Sequence, residues 1–341
     1  MKSTVVFVTI VLAAHLCLAA TPKTAPRLSL PGGAPTGTID TAKNELVTVE
    51  SGRSQDLLNL APGKPGYVDS LWMAGSGQDN FYDAMLNVFV DGERTPSIST
   101  DIGDLCLLAF TQGSIAHYST SHLVAESVGS NGGDCVLKYP IPYRRAVHIT
   151  LTNVDPGSLR LWSQARYYSD VSVPYKLWSS AIPLANRLRA VTPEQQGSGA
   201  VRFLNLPQGG GWVVMHNIIY SAARNFTYLE NNPVIYLNGR TPGAHVSPQY
   251  DSSGTEDYFL SSFYYGAVPA SSPFAAISEK GHEGGPSPNS ISTGLDLLAY
   301  TGGVRFDNGV LMRLERGNSV QPGVSDTDVD ISYCVLYYTP N

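Results

Sequence analysis

The stretch DSSGTEDYFLSS, Asp251 to Ser262, sets two adjacent acids, Glu256 and Asp257, between small residues and the aromatic pair Tyr258-Phe259. Carboxyls so placed do one of two things. As a turn, Ser253-Gly254-Thr255-Glu256 fits S-x-x-E, in which the serine and glutamate side chains satisfy the first amides of a short helix. As chemistry, a carboxyl on a rigid loop beside aromatic walls acts as acid, base or nucleophile, because an apolar surround and a nearby like charge shift its pKa. Motif length alone favours the turn.

Other candidates carry less. Glu126, Glu279, Glu283 and Glu315 read as solvated or turn residues, and Glu315 sits between Arg313 and Arg316 on an exposed ion-pair face. Asp91 and Asp104 read as turn residues that bond their own backbone, as Asp257 does in its structural reading. His216 and His282 are lone histidines with a structural role as the default. His117 and His122 stand five apart, and no C-x-x-C spacing occurs, so neither a metal nor another cofactor is expected. G-x-S-x-G, H-E-x-x-H, the P-loop and G-x-G-x-x-G are all absent.

Whatever positions these acids is built from strands. Alternating, β-branched or aromatic runs recur at Glu45–Val49, Leu86–Val90, Ala146–Leu151, Leu159–Tyr167, Trp212–Met215, Val234–Leu237, Val310–Leu314 and Ile331–Tyr338. Turn signals such as Asp91-Gly92, Asn238-Gly239 and Asp307-Asn308-Gly309 separate them, which is the pattern of a sandwich. Tyr175 to Ala190 is the one long stretch open to a helical reading, and Pro183 breaks it. That region, down to Gln196-Gly197-Ser198-Gly199, reads as a connection.

The two halves resemble each other. VFVDGERTP (Val88 to Pro96) recurs as IYLNGRTP (Ile235 to Pro242), with Gly92 and Gly239 separated by 239 − 92 = 147 residues. Each copy continues into an acidic turn, Gly103-Asp104 or Glu256-Asp257. Each then has a strand, IPYRRAVHITLTN or VRFDNGVLMRLERGN, and closes on a tyrosine pair, Tyr167-Tyr168 or Tyr337-Tyr338. The period is too long for a solenoid and fits a duplicated sandwich. The expected organisation is a leader over 1–20, a first jelly roll over 21–175, a connecting segment over 176–200 and a second jelly roll over 201–341.

Composition agrees with an all-β, turn-rich exported chain. Charged residues are 15%, with 33 Gly, 23 Pro and 19 Tyr. Lys2, the apolar run Val5 to Leu18 and the small residues after it form a secretory signal peptide, too short for a comfortable membrane span. The mature chain is expected to begin near Thr21 and to be secreted, with no membrane span. A net charge of −6 without a basic cluster argues against nucleic acid. Asn225-Phe226-Thr227 is a glycosylation acceptor. Of the cysteines beyond the leader, Cys106 and Cys135 could pair and leave Cys334 buried and free; spacing leaves the connectivity open.

Taken together, LLNLAPGKPGYVDSLWM, LNVFVDGERTPSI with Gly103-Asp104, YPIPYRRAVHITLTN, YLENNPVIYLNG, SGTEDYF and DVDISYCVLYY resemble glycoside hydrolase family 172, once called domain of unknown function 2961. The resemblance spans most of the mature chain, and G-T-E-D-Y-F about twenty residues after the Asn-Gly turn is its most specific part. It implies a double jelly roll assembling as trimers or pairs of trimers. It also implies retaining cleavage or rearrangement of α-D-fructofuranosides or α-D-arabinofuranosides. Two glutamates would carry the chemistry, Glu256 as nucleophile and Glu230, in YLENN, as acid/base. Tyr228, Asp257 and Tyr258 would then contact the sugar.

The chain also departs from the family. An S-S-Y-D-R-T-G-G-N-type loop is replaced by SLPGGAPTGTIDTAKNE, without the Asp-Arg pair. G-D-F-F has become Gly103-Asp104-Leu105-Cys106, Y-R-W-H is reduced to VRFDNG, and Asn231-Asn232 follow Glu230 where Gly-Asp is common. These changes retain the scaffold and both glutamates while altering the sugar pocket. Two functions follow: a secreted furanosidase, or a non-catalytic structural or glycan-binding double jelly roll that assembles into trimers or larger fibres. The partners are a carbohydrate and further copies of the chain.

Overall fold

The computed structural model describes residues 28, 37–76, 81–108, 115–128, 132–182, 188–190, 201–221, 225–242, 246–261, 265, 270–281, 289–315 and 329–341. The leader over 1–20, Gln196 to Gly199, His282 and Glu283 lie outside them.

The first half supplies β1 (Thr38–Val49), β2 (Ser54–Leu60), β3 (Gly66–Ser76), β4 (Met85–Val90), β5 (Ile98–Asp101), β6 (Ile115–Ser119), β7 (Leu123–Val128), β8 (Gly133–Leu137), β9 (Ile141–Tyr143), β10 (Val147–Thr152) and β11 (Leu159–Ser169). One sheet runs β1-β11-β3-β8-β7-β6, with β9 also on β3, and the facing sheet runs β2-β10-β4-β5. The reason is legible in β4: Leu86, Val88 and Val90 are buried while Met85, Asn87 and Phe89 point outward. Period-two alternation can bury only one face of a strand, so two such sheets must close on each other.

The second half supplies β12 (Tyr175–Ile182), β13 (Leu188–Ala190), β14 (Arg202–Leu206), β15 (Gly211–Ser221), β16 (Asn232–Leu237), β17 (Ala270–Ser271), β18 (Ala275–Lys280), β19 (Ile291–Asp296), β20 (Val304–Phe306), β21 (Val310–Glu315) and β22 (Val329–Pro340). Its sheets run β12-β22-β15-β19-β18-β17 and β14-β21-β16. The six-strand order of the larger sheet repeats that of the first sandwich, and the smaller sheet repeats β2-β10-β4 without a counterpart of β5; the molecule is a double jelly roll.

The repeated turns occupy matching places, after β4 and after β16. Asp91 and Gly92 have φ of 57° and 84°, and Asn238 and Gly239 have 60° and 73°. Positive φ at both central residues defines the tight turn that Asp-Gly and Asn-Gly favour. In each, the side-chain oxygen tethers the neighbouring connection. Asp91 Oδ1 accepts from the amides of Arg144 and Arg145 (2.9 and 2.8 Å), and Asn238 Oδ1 from those of Asp307 and Asn308 (2.6 and 3.1 Å).

One sequence expectation is corrected. Tyr175–Ile182 is a strand, not a connection: it pairs antiparallel with β22, Tyr175 opposite Pro340 and Ile182 opposite Tyr333, and Leu188–Ala190 extends the pairing. Its faces are half-buried on both sides, which blurs the alternation that marks a strand.

The sandwiches pack side by side. Val214, Met215, Leu336 and Tyr338 of the second join the core of the first. The short helix α1 (Ile102–Cys106) is buried at this junction. Asn217 donates to the carbonyls of Asp104 and Leu105 (3.1 and 2.8 Å), and Ser332 donates to Asp104 Oδ1 (2.6 Å). Cys106 and Cys135 are joined by a disulfide with Cα atoms 6.1 Å apart, and Cys334 is a buried free thiol. Among the described residues no helix is long and apolar enough to cross a membrane.

Candidate active site

The G-T-E-D-Y-F segment forms a one-turn helix, α2 (Thr255–Tyr258), and Glu230 ends a 3₁₀ turn, Thr227–Glu230. The two turns are pinned together. Thr255 is fully buried, and its hydroxyl donates to the carbonyl of Asn231, the residue after Glu230, at 2.8 Å. Gly254 lies at the crossing: a Cβ there would sit 3.0 Å from Glu256 Oε2 and 3.1 Å from Leu229 O. Absence of that carbon is what lets the Glu256 carboxyl approach the backbone of the Glu230 turn. Both glutamates are half-buried.

The S-x-x-E capping box does not form. The helix starts one residue later than it requires, with Gly254 as N-cap and no side-chain cap. Asp257 takes the local role instead, its Oδ2 accepting from the Ser253 amide (2.8 Å) and hydroxyl (2.7 Å). Asp257 itself is exposed.

Aromatic residues back the two turns. Tyr228 is fully buried and donates to Asn289 O at 2.8 Å, so it supports the 3₁₀ turn from beneath and offers no open face to a sugar. Its ring packs on Tyr220 at 4.8 Å, whose hydroxyl lies 3.4 Å from Thr255 Oγ1. Tyr265 reaches the Thr255 carbonyl, also at 3.4 Å. Burial holds the Tyr220 and Tyr265 hydroxyls well above the ordinary phenol range, and the nearby Glu256 charge adds to this. They stay protonated as neutral donors.

Tyr258 keeps 9% of its surface exposed, and its hydroxyl lies 3.0 Å from Nδ1 of His216 on β15. His216 is completely buried among Phe203, Tyr258 and Phe259, and burial pulls its pKa down to about 3. A neutral imidazole therefore sets the orientation of Tyr258. Directly after Glu230, Asn231 and Asn232 are buried with side-chain carbonyls that have no hydrogen-bond partner.

The structure thus brings Glu230, Glu256, Asp257, Tyr228 and Tyr258 into one locale of the second sandwich. Asn225 is exposed at the foot of the 3₁₀ turn, its side-chain oxygen accepting from the Thr227 amide (3.0 Å) and hydroxyl (2.6 Å). Cys106 and Cys135 belong to the first sandwich. His216, Tyr220, Thr255 and Tyr265 belong to the site and were not among the expected residues. Only the sheet topology gathers them, and no local pattern marks them. Among the described residues no group of three or more metal-type ligands occurs.

With this geometry in hand, comparison with known proteins is informative for the first sandwich. Residues 40–178 match the model of the GH172 first beta-sandwich domain. Over these residues the first sandwich is similar to that GH172 domain. The match runs from β1 into β12, and Glu230 and Glu256 lie outside the matched residues. No curated protein matches the chain. Among solved structures it is similar to the major capsid protein P2 of bacteriophage PM2, at 10% identity over 89% of this chain and 97% of that one, with a TM-score of 0.43. A structure from Sulfolobus turreted icosahedral virus shares 9% identity over 89% of this chain and 61% of that one, with a TM-score of 0.25. Both scores are too low to bear on function.

Proposed function

We propose that the protein is a secreted retaining glycoside hydrolase acting on α-D-fructofuranosides or α-D-arabinofuranosides, with Glu256 as nucleophile and Glu230 as acid/base. The observation that carries this reading is the convergence of the two glutamates on adjacent half-buried turns, pinned by the Thr255–Asn231 bond. A retaining mechanism requires carboxyls about 5–5.5 Å apart. The Glu256 carboxylate attacks the anomeric carbon as the glycosidic C–O bond breaks, and the Glu230 carboxyl gives its proton to the leaving oxygen. Water, deprotonated by Glu230, then displaces Glu256 and releases the sugar. Asp257 and Tyr258 flank the sugar, and Tyr228 acts from below.

The apolar leader supports export, and exposed Asn225 suits glycosylation in that compartment. The assembly proposed is a homotrimer or a pair of trimers, which two like wedges per chain would make a pseudo-six-fold ring. Hydrolysis of an aryl α-D-arabinofuranoside, measured beside light scattering, tests both parts. Turnover abolished by Glu256→Gln supports the enzyme. A large, inert assembly supports instead a structural or glycan-binding role, favoured by the altered sugar pocket. A monomer at micromolar concentration removes the trimer.

A further inference from the structure

The outer face of the larger sheet of the first sandwich carries a row of side chains that the site above does not use. Register places His117 opposite Glu126, Glu126 opposite Asp134, Asp134 opposite Ala74, and Ala74 opposite Trp162. Directly opposed residues project to the same side of a sheet, so these five form one line across β6, β7, β8, β3 and β11. The intervening residues Met73, Cys135, Ala125 and Leu161 are buried, which fixes the row as outward-facing.

The short side chain of Ala74 leaves a trough between the indole of Trp162 and the two carboxyls. This open cleft of about 280 Å³ is lined by Trp162, Ala74, Asp134 and Glu126. Trp72, two residues along the same face, donates its indole N–H to Asp134 Oδ2 at 3.4 Å. The Arg160 guanidinium stands 5.8 Å from the Trp162 ring. Burial raises the Asp134 carboxyl above its ordinary range, against the Trp72 bond, and the Glu126 charge raises it further.

Three features select the ligand. A half-buried indole that keeps part of its face open to the cleft takes the C–H face of a ring. Two neighbouring carboxyls, one held by a second indole, accept from adjacent hydroxyls. A floor cut to alanine leaves room for one ring rather than for a peptide. Anions are disfavoured by the carboxyl pair. We infer that this trough is a saccharide-binding site, in which a neutral sugar ring stacks on Trp162 and vicinal hydroxyls donate to Asp134 and Glu126. The site is separate from the Glu230–Glu256 locale and does not rest on the glycosidase reading.

The test is tryptophan emission of the full chain carrying Glu256→Gln, titrated with an α-arabinofuranosyl trisaccharide, cellotriose, maltotriose and tetramethylammonium. At least one trisaccharide should give a saturable change. Trp162→Ala and, separately, Asp134→Asn should each weaken it about tenfold or more while far-ultraviolet circular dichroism and melting stay as in the parent. Asp134→Asn preserves shape, so it reads the site even if the tryptophan variant folds poorly. No saturable change with any trisaccharide up to tens of millimolar overturns the inference. So do an unchanged midpoint in Asp134→Asn, or binding of tetramethylammonium alone. Turnover by the parent enzyme with no binding at Trp162 would overturn this site and leave the proposed catalysis standing.

Discussion

Asp257 is engaged by the amide and hydroxyl of Ser253, which leaves Glu256, one residue earlier, turned towards the Glu230 turn. The two acids should therefore respond differently to substitution. Glu256→Gln should cut turnover of an aryl α-D-arabinofuranoside by several orders of magnitude with little change in melting temperature. Asp257→Ala should cost about 1 kcal/mol of stability by freeing the Ser253 donors, read as a lowered melting temperature. His216 makes a prediction about pH. Its folded pKa is depressed from 6.5 to about 3, so below pH 6.5 the unfolded chain takes a proton that the folded chain refuses. Stability from this group is complete above pH 6.5 and falls by about 1.4 kcal/mol per pH unit towards the folded value. His216→Gln should flatten that part of the acid limb, measured as the melting temperature of each protein between pH 7 and 4. Neither effect is legible locally: the sequence contains S-x-x-E, and only the helix register decides which acid bonds Ser253.

At the scale of elements, the candidate site depends on two turns too short to hold themselves. A 3₁₀ turn and a four-residue helix have almost no stability of their own, so the Thr255–Asn231 bond and the tyrosines beneath must fix them. Thr255→Val keeps volume and removes the donor. It should destabilise by about 1–3 kcal/mol through the stranded Asn231 carbonyl and lower kcat more than it raises KM, as steady-state kinetics would show. Strands with one clean buried face, β4 and β21 among them, are readable from sequence because alternation is their only way to bury apolar surface. β12 escapes such reading because its partner lies more than 150 residues away, and Pro183 suggests a break where a strand has only ended. The aromatic bed under Thr255 is hidden for the same reason: Tyr220, Tyr228 and Tyr265 lie far apart along the chain, and only the fold assembles them.

For the whole molecule, duplication explains what repeats and what does not. The turns after β4 and β16 are the same device in both copies, and Gly103-Asp104 corresponds to Glu256-Asp257. In the first copy a glycine stands where the second has Glu256, and Asp104 is fully buried, bonded to Ser332 of the other sandwich. One copy of the acidic turn thus joins the halves while the other faces the candidate site. The disulfide secures the joining copy. Its 29-residue separation predicts a loss of about 3–4 kcal/mol when Cys106 and Cys135 are both replaced by serine, measurable by denaturant unfolding under oxidising conditions.

The position of β22 has a further consequence, for the order in which the molecule folds. β12 has β22 as its neighbour in the sheet order, and β22 lies between β12 and β15. The first sandwich draws its strands from residues 38–169, so a growing chain can complete it early. The second must keep β12 waiting, and one edge of β15 open, until residues 329–340 emerge. Closing so long a loop is slow, and open strand edges pair readily with other chains meanwhile. The same strand carries Ser332 and Tyr338, which reach across to Asp104 and Pro140. Docking of β22 therefore closes the second sheet and the joint between the halves in one late step, and the species that precedes it is the one most exposed to aggregation.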